Sequence, residues 1–436
     1  MLSSLRRSDR CAADRRAAPG VTHVLVGFSK GVLADLNDLL PVGAVLVLEE
    51  PDVIEARGAV DKAQAFPCVA GIVPAPTQDE PCAERLTDLI RRPPNVRAVI
   101  PAVEYGVVAA AVLAHSWGLP GAGSTAARIL RDKIVMRVTA QRGWLPQPQW
   151  MTAETAGDVE RFRDRLGGEC VLKPANRQAS LGVRVLGPDD DVAEAWAHCT
   201  QADEPMLRAG YALPGRYLVE QRLDGPEVSV EALVHAGEVG FTNITAKAVQ
   251  PGISPVEVSH VVPARLAAEV ESALTACVKE LVRVTGFEYG VLHSEWILVN
   301  GRRPHFIECA ARLPGDSIDL LIDLAYDSRF TEDYVAVLEG RGPIPPRPNR
   351  GAAAIRFLTA PAGIVREITG RDLVPALPGV QEVAISVESG ATIAPVTSSW
   401  SRLGHVIATG ADDQEATQRA ANAASLITFE MAEEIA

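Results

Sequence analysis

The sequence predicts an α/β protein with an N-terminal parallel α/β domain, a central mixed domain and a small C-terminal domain. Three observations support this class. Apolar strand-like segments alternate with helical ones over residues 21–120. Asn300 and Gly301 join two consecutive strand-like segments, as in a hairpin. The Pro-rich stretch 341–350 is typical of a linker, and 351–436 then holds short strands and a helix. At 436 residues the chain is also long for a single core.

The composition limits which class of protein this can be and which cellular compartment we expect for it. A hydrophobic content of 47% with 22% charged residues is that of a soluble globular protein. The net charge of −13 argues against a nucleic-acid partner, and the longest apolar run, 106–114, is too short to span a membrane. Scattered cysteines without a CxxC pair predict neither a disulfide framework nor a zinc site, so we expect a reducing cytoplasm. The seven cysteines are Cys11, Cys68, Cys82, Cys170, Cys199, Cys277 and Cys309.

The first part of the chain divides into a tail and a parallel layer. Residues 1–20 contain five arginines and no apolar stretch, so they are no secretory signal. A transit peptide and a disordered tail are both consistent with them, and we expect the tail. Strands beginning near residues 21, 43, 69 and 96 predict the parallel sheet. Gly27 and Gly31 lack the spacing of a dinucleotide-binding loop.

The central domain is predicted from helical and strand periodicity. Helical spacing covers 126–137, and 169–231 is strand-rich, with an amphipathic helix near 190–202. A second helix is predicted over 265–285, directly before the hairpin.

The predicted hairpin carries two carboxylates on one face. Glu295 and Glu308 lie on its two strands, and Arg312 follows four residues later. Carboxylate oxygens are the ligands that Mg²⁺ prefers, together with phosphate oxygens. The pattern therefore indicates a site for a phosphoryl group, and the alternative is an ordinary half-exposed hairpin. Cys309 is predicted to face the core, because neighbouring strand residues point to opposite faces.

Upstream motifs extend this pattern. Lysines occur in the segments 131–137, 170–175 and 243–247, the segment 217–227 ends in a glutamate, and 256–263 contains a Glu-x-x-His-x-x-Pro pattern. In this order they resemble the ATP-grasp superfamily over about residues 21–430, and most closely its carboxylate–amine ligases, the L-amino-acid ligase branch that makes dipeptides. The resemblance implies a central ATP-grasp domain of two lobes over 121–340, with a lid lobe over about 145–225.

The resemblance also implies the ligands. It assigns ATP and Mg²⁺ as cofactors, with Mn²⁺ able to substitute. The loop 176–183 matches the family's glycine-rich loop poorly, because Gly182 is its single glycine. The implied ATP-binding residues are Lys133, Lys173, Ser180, Gly182, Glu220, Gln221, Leu223, Glu227 and Lys247.

Metal, catalytic and substrate roles follow in the same way. Glu295 and Glu308 are the implied metal ligands, and Ala310 stands where the family usually has an asparagine. Arg312 and Lys247 are the implied catalytic residues. Asp316 is expected to pair with a substrate ammonium or another polar donor; the alternative is that it caps the helix beginning at Ser317. The implied substrate-binding residues are Glu257, His260, His293, Arg312, Gly315 and Asp316.

The implied activity is ADP-forming ligation of a carboxylate to an amine through an acyl phosphate, with amino acids as the expected substrates and a specialised pathway as the expected setting. A biotin-carboxylase-like enzyme and a non-catalytic ATP-binding module are the alternatives. No nucleic acid or membrane partner is expected, and a homodimer is an assembly that the resemblance allows.

Overall fold

A computed structural model describes residues 20–204, 206–210 and 215–432. The predicted tail and Cys11 lie outside these residues, apart from Gly20. The chain divides into two compact units. The first is built mainly from residues up to 121, and the second holds most of the remainder. None of the six cysteines within the described residues is part of a disulfide. None of the helices in these residues has the length and apolarity needed to cross a membrane.

The first unit contains a four-stranded parallel sheet in the order β3-β2-β1-β4, so the predicted parallel layer is confirmed. Helix α5 is buried over Val107–Ala114, which accounts for its uniformly apolar sequence. The elements are β1 (His23–Val26), α1 (Lys30–Leu39), β2 (Val45–Glu49), α2 (Pro51–Arg57), α3 (Ala59–Ala63), β3 (Val69–Pro74), α4 (Leu86–Leu89), β4 (Ala98–Pro101) and α5 (Val107–Ser116).

The second unit begins with two helices, which are followed by a small antiparallel sheet in the order β5-β8-β6-β7. The strands of this sheet fall within the residue range of the predicted lid lobe. These elements are α6 (Ser124–Arg131), α7 (Lys133–Arg142), β5 (Trp150–Ala153), α8 (Ala156–Leu166), β6 (Cys170–Pro174), β7 (Arg184–Leu186), α9 (Val192–Gln201) and β8 (Tyr217–Gln221).

An antiparallel sheet of eight strands follows, in the order β13-β12-β9-β10-β11-β14-β18-β16. Strand β14 pairs with β11, so the region after the Pro-rich segment extends the central sheet. The elements are β9 (Glu227–His235), β10 (Glu238–Val249), β11 (Glu257–Val262), α10 (Ala268–Thr285), β12 (Gly290–Val299), β13 (Arg303–Ala310), α11 (Ile318–Tyr326), α12 (Phe330–Leu338), β14 (Ala352–Leu358), β15 (Gly363–Thr369), β16 (Val380–Ile385), β17 (Thr392–Ile393), β18 (Gly404–Gly410), α13 (Asp413–Ser425) and β19 (Thr428–Met431).

One helix prediction needs correction. The helical spacing over 126–137 belongs to two helices, α6 and α7, that meet at Asp132. Asp132 adopts an extended conformation, and its side chain accepts hydrogen bonds from the backbone N–H groups of Ile134 and Val135. An aspartate that satisfies the first free N–H groups begins a new helix. Lys133 is therefore the first residue of α7.

Candidate functional site

The hairpin of β12 and β13 is confirmed. Glu295 lies directly opposite Glu308, and the turn residues Asn300 and Gly301 have φ values of 54° and 68°. Both turn positions thus use the left-handed conformation that favours asparagine and glycine. Cys309 is buried, as predicted from the alternation. The two carboxylates consequently leave the same face of the sheet and can each meet a cation.

A buried group of three charged residues, the Glu220 cluster, comprises Glu220, Arg137 and Lys173. Arg137 Nε lies 2.5 Å from Glu220 Oε1, and Lys173 Nζ lies 2.6 Å from Glu220 Oε2. Arg137 also donates to the carbonyl oxygens of Phe306 and Ile307, at 3.0 and 2.7 Å. Arg137 therefore joins helix α7 to strand β8 of the small antiparallel sheet and to the hairpin strand β13.

The positive charge of the two partners exceeds the negative charge of the Glu220 carboxylate. Burial alone would raise its pKa, but the guanidinium of Arg137 and the ammonium of Lys173 lower the pKa of Glu220 to about 2. Two cations against one carboxylate leave this cluster with a net charge of +1. The Glu220 side chain on strand β8 is thus held by Arg137 on helix α7 and by Lys173 on strand β6. Its implied role at the adenine edge, with Gln221 and Leu223, stays a prediction.

Lys133, Ser180 and Gly182, which are further implied ATP-binding residues, lie in or next to the loop 176–183. Lys133 Nζ lies 3.3 Å from Glu308 Oε2 and donates to the carbonyl oxygen of Arg177 at 2.7 Å. Ser180 and Gly182 have φ values of 56° and 75°. A Cβ at Gly182 would lie 2.7 Å from the Cβ of Ala202, so close packing and backbone conformation both require glycine there.

The Lys247 cluster comprises Lys247 and three carboxylates. Lys247 Nζ forms an ion pair with Glu295 and lies 3.7 Å from Glu257 Oε1 and 3.9 Å from Glu227 Oε1. One oxygen from each of these carboxylates lies within 4.8 Å of the others, and the group could hold a metal ion. Three carboxyl groups surround one ammonium, so acidic groups outnumber basic ones in this cluster. Oxygen donors of this kind suit a hard divalent cation such as Mg²⁺.

The electrostatics of the Lys247 cluster reflect this imbalance. Burial raises the pKa of Glu227 to about 8, and the negative charges of Glu295 and Glu257 add to the effect against the attraction of Lys247. Burial alone would lower the pKa of Lys247, but Glu295 and the other carboxylates raise it. The cluster lacks positive charge, which an incoming cation would supply.

His293 connects the cluster to a buried polar network. Its Nδ1 lies 2.9 Å from Glu231 Oε1, and its Nε2 lies 3.4 Å from Glu295 Oε1. The Glu231 carboxylate also accepts from side chains on β9 and β10 at 2.6–2.7 Å, namely Ser229, Asn243 and Thr245. His293 faces Ala310 across the hairpin, so the position where the family has asparagine lies beside an imidazole. The implied contact of His293 with substrate stays a prediction.

Asp316 pairs with two polar side chains of the chain itself. Its two oxygens accept from Arg402 at 3.0 and 2.5 Å, and His260 Nε2 lies 2.9 Å from Asp316 Oδ2. Ser317, not Asp316, is the N-cap residue of helix α11, and there is no side-chain cap hydrogen bond. The helix-capping alternative for Asp316 is therefore wrong. Burial alone would raise the pKa of Asp316, but the hydrogen bond from His260 and the charge of Arg402 hold it well below its usual range.

The segment that carries Arg402 touches the site at further points. Ser399 Oγ donates to Glu257 Oε2 at 3.0 Å, and the Ser399 backbone N–H donates to the carbonyl oxygen of Ala179 at 3.1 Å. Trp400 Nε1 donates to Glu204 Oε1 at 3.0 Å. Residues near 400 thus contact the loop 176–183, the Lys247 cluster and Asp316.

Two regions of the chain match known protein families. Residues 166–319 match the sequence profile of the ATP-grasp domain, and residues 356–432 match L-amino acid ligase C-terminal domain 2.

This chain contains an ATP-grasp domain.

The chain is similar to several known proteins over part or most of its length. It is 26% identical to the uncharacterized protein y4rH of Sinorhizobium fredii, over 72% of this chain and 64% of that protein. It is 24% identical to the alanine–anticapsin ligase of Bacillus subtilis, over 45% of this chain and 44% of the ligase. The chain thus covers less than two thirds of these relatives. The crystal structure of an L-amino acid ligase from Bacillus licheniformis has the same fold, with a TM-score of 0.76, 21% identity and coverage of 95% and 99% of the two chains.

The structure adds residues to the candidate site that the sequence patterns did not reveal. Arg137 lies four residues after Lys133, on the same helix face, so its spacing was a readable signal. Glu231 stands in an alternating strand and carried no signal. Ser399 and Arg402 are far from the other site residues in the sequence, and no local pattern pointed to them. Arg312 donates to the carbonyl oxygen of Leu313 at 2.9 Å, and Gly315 is exposed.

Proposed function

We propose that this chain is an ATP-dependent, ADP-forming ligase that joins the carboxylate of one amino acid to the amine of another. The observation that carries the proposal is the Lys247 cluster beside the Glu295–Glu308 hairpin, with its excess of carboxylate oxygens and its buried ammonium. The match of the C-terminal region to an L-amino acid ligase domain favours this activity over a carboxylase.

The proposed ligation has two chemical steps, and three lysine side chains supply positive charge for the phosphoryl groups involved. The substrate carboxylate oxygen attacks the γ-phosphorus of ATP, and ADP leaves. The amine then attacks the acyl carbon, phosphate leaves and the amine releases a proton, so that an amide, ADP and phosphate are the products. Lys133, Lys173 and Lys247 supply positive charge for the phosphoryl groups, and transfer of this kind depends mainly on position and charge.

The proposed metal ligands are Glu295 and Glu308, with Glu227 and Glu257 close to the first of them. Mg²⁺ bound there would neutralise the charge of the triphosphate. Arg312 is proposed to stabilise the oxyanion that forms when the amine attacks. Removal of one such donor typically costs about 2.7–4 kcal/mol of transition-state stabilisation.

The test is an ADP-release screen with Mg²⁺ over pairs of amino acids, with mass spectrometry of the product. Amino-acid-dependent ADP release together with a dipeptide mass is the expected result. ADP release that depends on bicarbonate instead of an amine would support the carboxylase alternative. ATP binding without ADP release for any pair would support the non-catalytic alternative.

A further inference from the structure

The Asp316 carboxylate is neutralised by a residue from a distant part of the chain. Arg402 donates through both terminal nitrogens to the two oxygens of Asp316, at 3.0 and 2.5 Å. This two-pronged geometry is the strongest form of the guanidinium–carboxylate contact. The two side chains together carry no net charge.

Arg402 is fixed in place by contacts on its other sides. Its Nε donates to the carbonyl oxygen of Ser399 at 2.9 Å, and its guanidinium carbon lies 3.8 Å from the centroid of the Phe357 ring. The Arg402 side chain is 11% exposed. A planar guanidinium that is stacked and hydrogen-bonded loses little freedom when it pairs, so the ion pair is built into the fold.

The pair lies next to the Lys247 cluster. His260, which contacts Asp316, is the direct cross-strand partner of Lys247 on β10 and β11. Cross-strand partners have Cβ atoms about 4.5–5.5 Å apart. The Asp316 side chain is 24% exposed, so the ion pair borders a surface that a bound molecule can reach.

We propose that Arg402 is a specificity-determining residue: by neutralising Asp316, it makes the site accept an amino acid with an uncharged side chain and reject one with a cationic side chain. The proposal rests on the proposed ligase function. An unpaired aspartate at this place would attract a substrate ammonium. With Arg402 present, a cationic side chain would meet a guanidinium and find no free carboxylate oxygen on Asp316, and such a like-charge contact is a common means of excluding a wrong ligand.

The experiment compares norleucine with lysine, which differ by one terminal ammonium. Binding is measured by calorimetry in the presence of Mg²⁺ and a non-hydrolysable ATP analogue, and ADP release is measured with ATP. The variants are Arg402→Gln, Arg402→Lys and the double variant Asp316→Asn with Arg402→Gln. We expect the wild type to favour norleucine. In Arg402→Gln, the ratio of the response to lysine over the response to norleucine, in affinity and in ADP release, should rise by about tenfold or more.

The other two variants separate charge from packing. Arg402→Lys keeps the positive charge, so its ratio is expected to stay near that of the wild type. The double variant removes both charges, so it is expected to lose the preference for lysine that Arg402→Gln gains. The double variant also stays informative if Arg402→Gln fails to fold, because it leaves no unpaired carboxylate.

Two outcomes would overturn the inference: a wild type that favours lysine, or a folded Arg402→Gln with an unchanged ratio. ADP release from amino-acid pairs without any change of ratio would overturn this inference alone. Absence of ADP release with every pair would overturn the proposed function.

Discussion

The Glu220 cluster and the Lys247 cluster contain the same kinds of side chain in opposite proportions. The first has two cations around one buried carboxylate, and the pKa of Glu220 falls to about 2. The second has three carboxylates around one ammonium, and the pKa of Glu227 rises to about 8. In the first cluster the carboxylate is fully paired within the chain, and the cluster joins α7, β6 and β8. The second has an excess of carboxylates, which a divalent cation such as Mg²⁺ would balance.

The largest expected effect is on the Glu220 cluster. Arg137→Met removes the donor that joins α7, β8 and β13 and leaves Glu220 with one partner. Breaking a buried ion pair in this way costs about 3–5 kcal/mol in the free energy of unfolding. Denaturant unfolding of the purified variant measures it. Arg142→Met, at an exposed position of the same helix, is the matched control and should leave stability unchanged. Equal stability of the two variants would contradict a structural role for Arg137.

The second largest effect is expected on the rate of ADP release when the Lys247 cluster is altered. Glu295→Gln removes the carboxylate that pairs with Lys247 and is a proposed metal ligand. We expect ADP release to fall by about 10²–10³-fold, as for loss of one electrostatic partner of a transition state. Stability should change less than in Arg137→Met, because the amide keeps the shape of the side chain. Steady-state ADP release measures the loss, and Glu280→Gln, on the surface of α10, serves as control.

The third effect is the acid response of Glu220. Its pKa is about 2 in the folded chain against an ordinary value of 4.5, so the unfolded chain binds the proton more tightly. This group therefore contributes stability above pH 4.5 and loses it as pH falls towards 2, by about 3 kcal/mol in total. The free energy of unfolding is measured against pH for the wild type and for Glu220→Gln. If the free energy of unfolding fell equally with decreasing pH in the two proteins, the low pKa of Glu220 would be refuted.

The smallest effect concerns Ser399. Ser399→Ala removes one hydrogen bond to Glu257 and leaves that carboxylate near Lys247. The expected loss is about 0.5–1.5 kcal/mol in the free energy of unfolding. ADP release should fall far less than in Glu295→Gln. A loss as large as that of Glu295→Gln would mean that the segment near residue 400 takes part directly in the chemistry.

Local signals in the sequence were sufficient for the hairpin and the parallel layer. Asn300 and Gly301 specify the turn, and the turn fixes the register that brings Glu295 opposite Glu308. The break at Asp132 was also readable, since aspartate is a strong N-cap residue, but continuous helical spacing hid it.

Contacts between distant segments were not predictable in this way. Arg402 meets Asp316 across 86 residues of sequence, and β14 joins β11 beyond the Pro-rich segment. Neither contact leaves a periodic or spacing signal in one sequence, because each depends on how separate strands order themselves in the sheet. The resemblance implied the ligands, and the structure showed which side chains of the chain contact one another around the candidate site.

The most direct test of the account is the Mg²⁺ dependence of ATP binding, measured by calorimetry with Mg²⁺ and with a chelator. The wild type should bind ATP much more tightly with Mg²⁺, because the cation supplies the charge that the Lys247 cluster lacks. Glu295→Gln should lose most of this difference, and Glu280→Gln should keep it. Equal affinity of the wild type for ATP with and without Mg²⁺ would contradict the central claim.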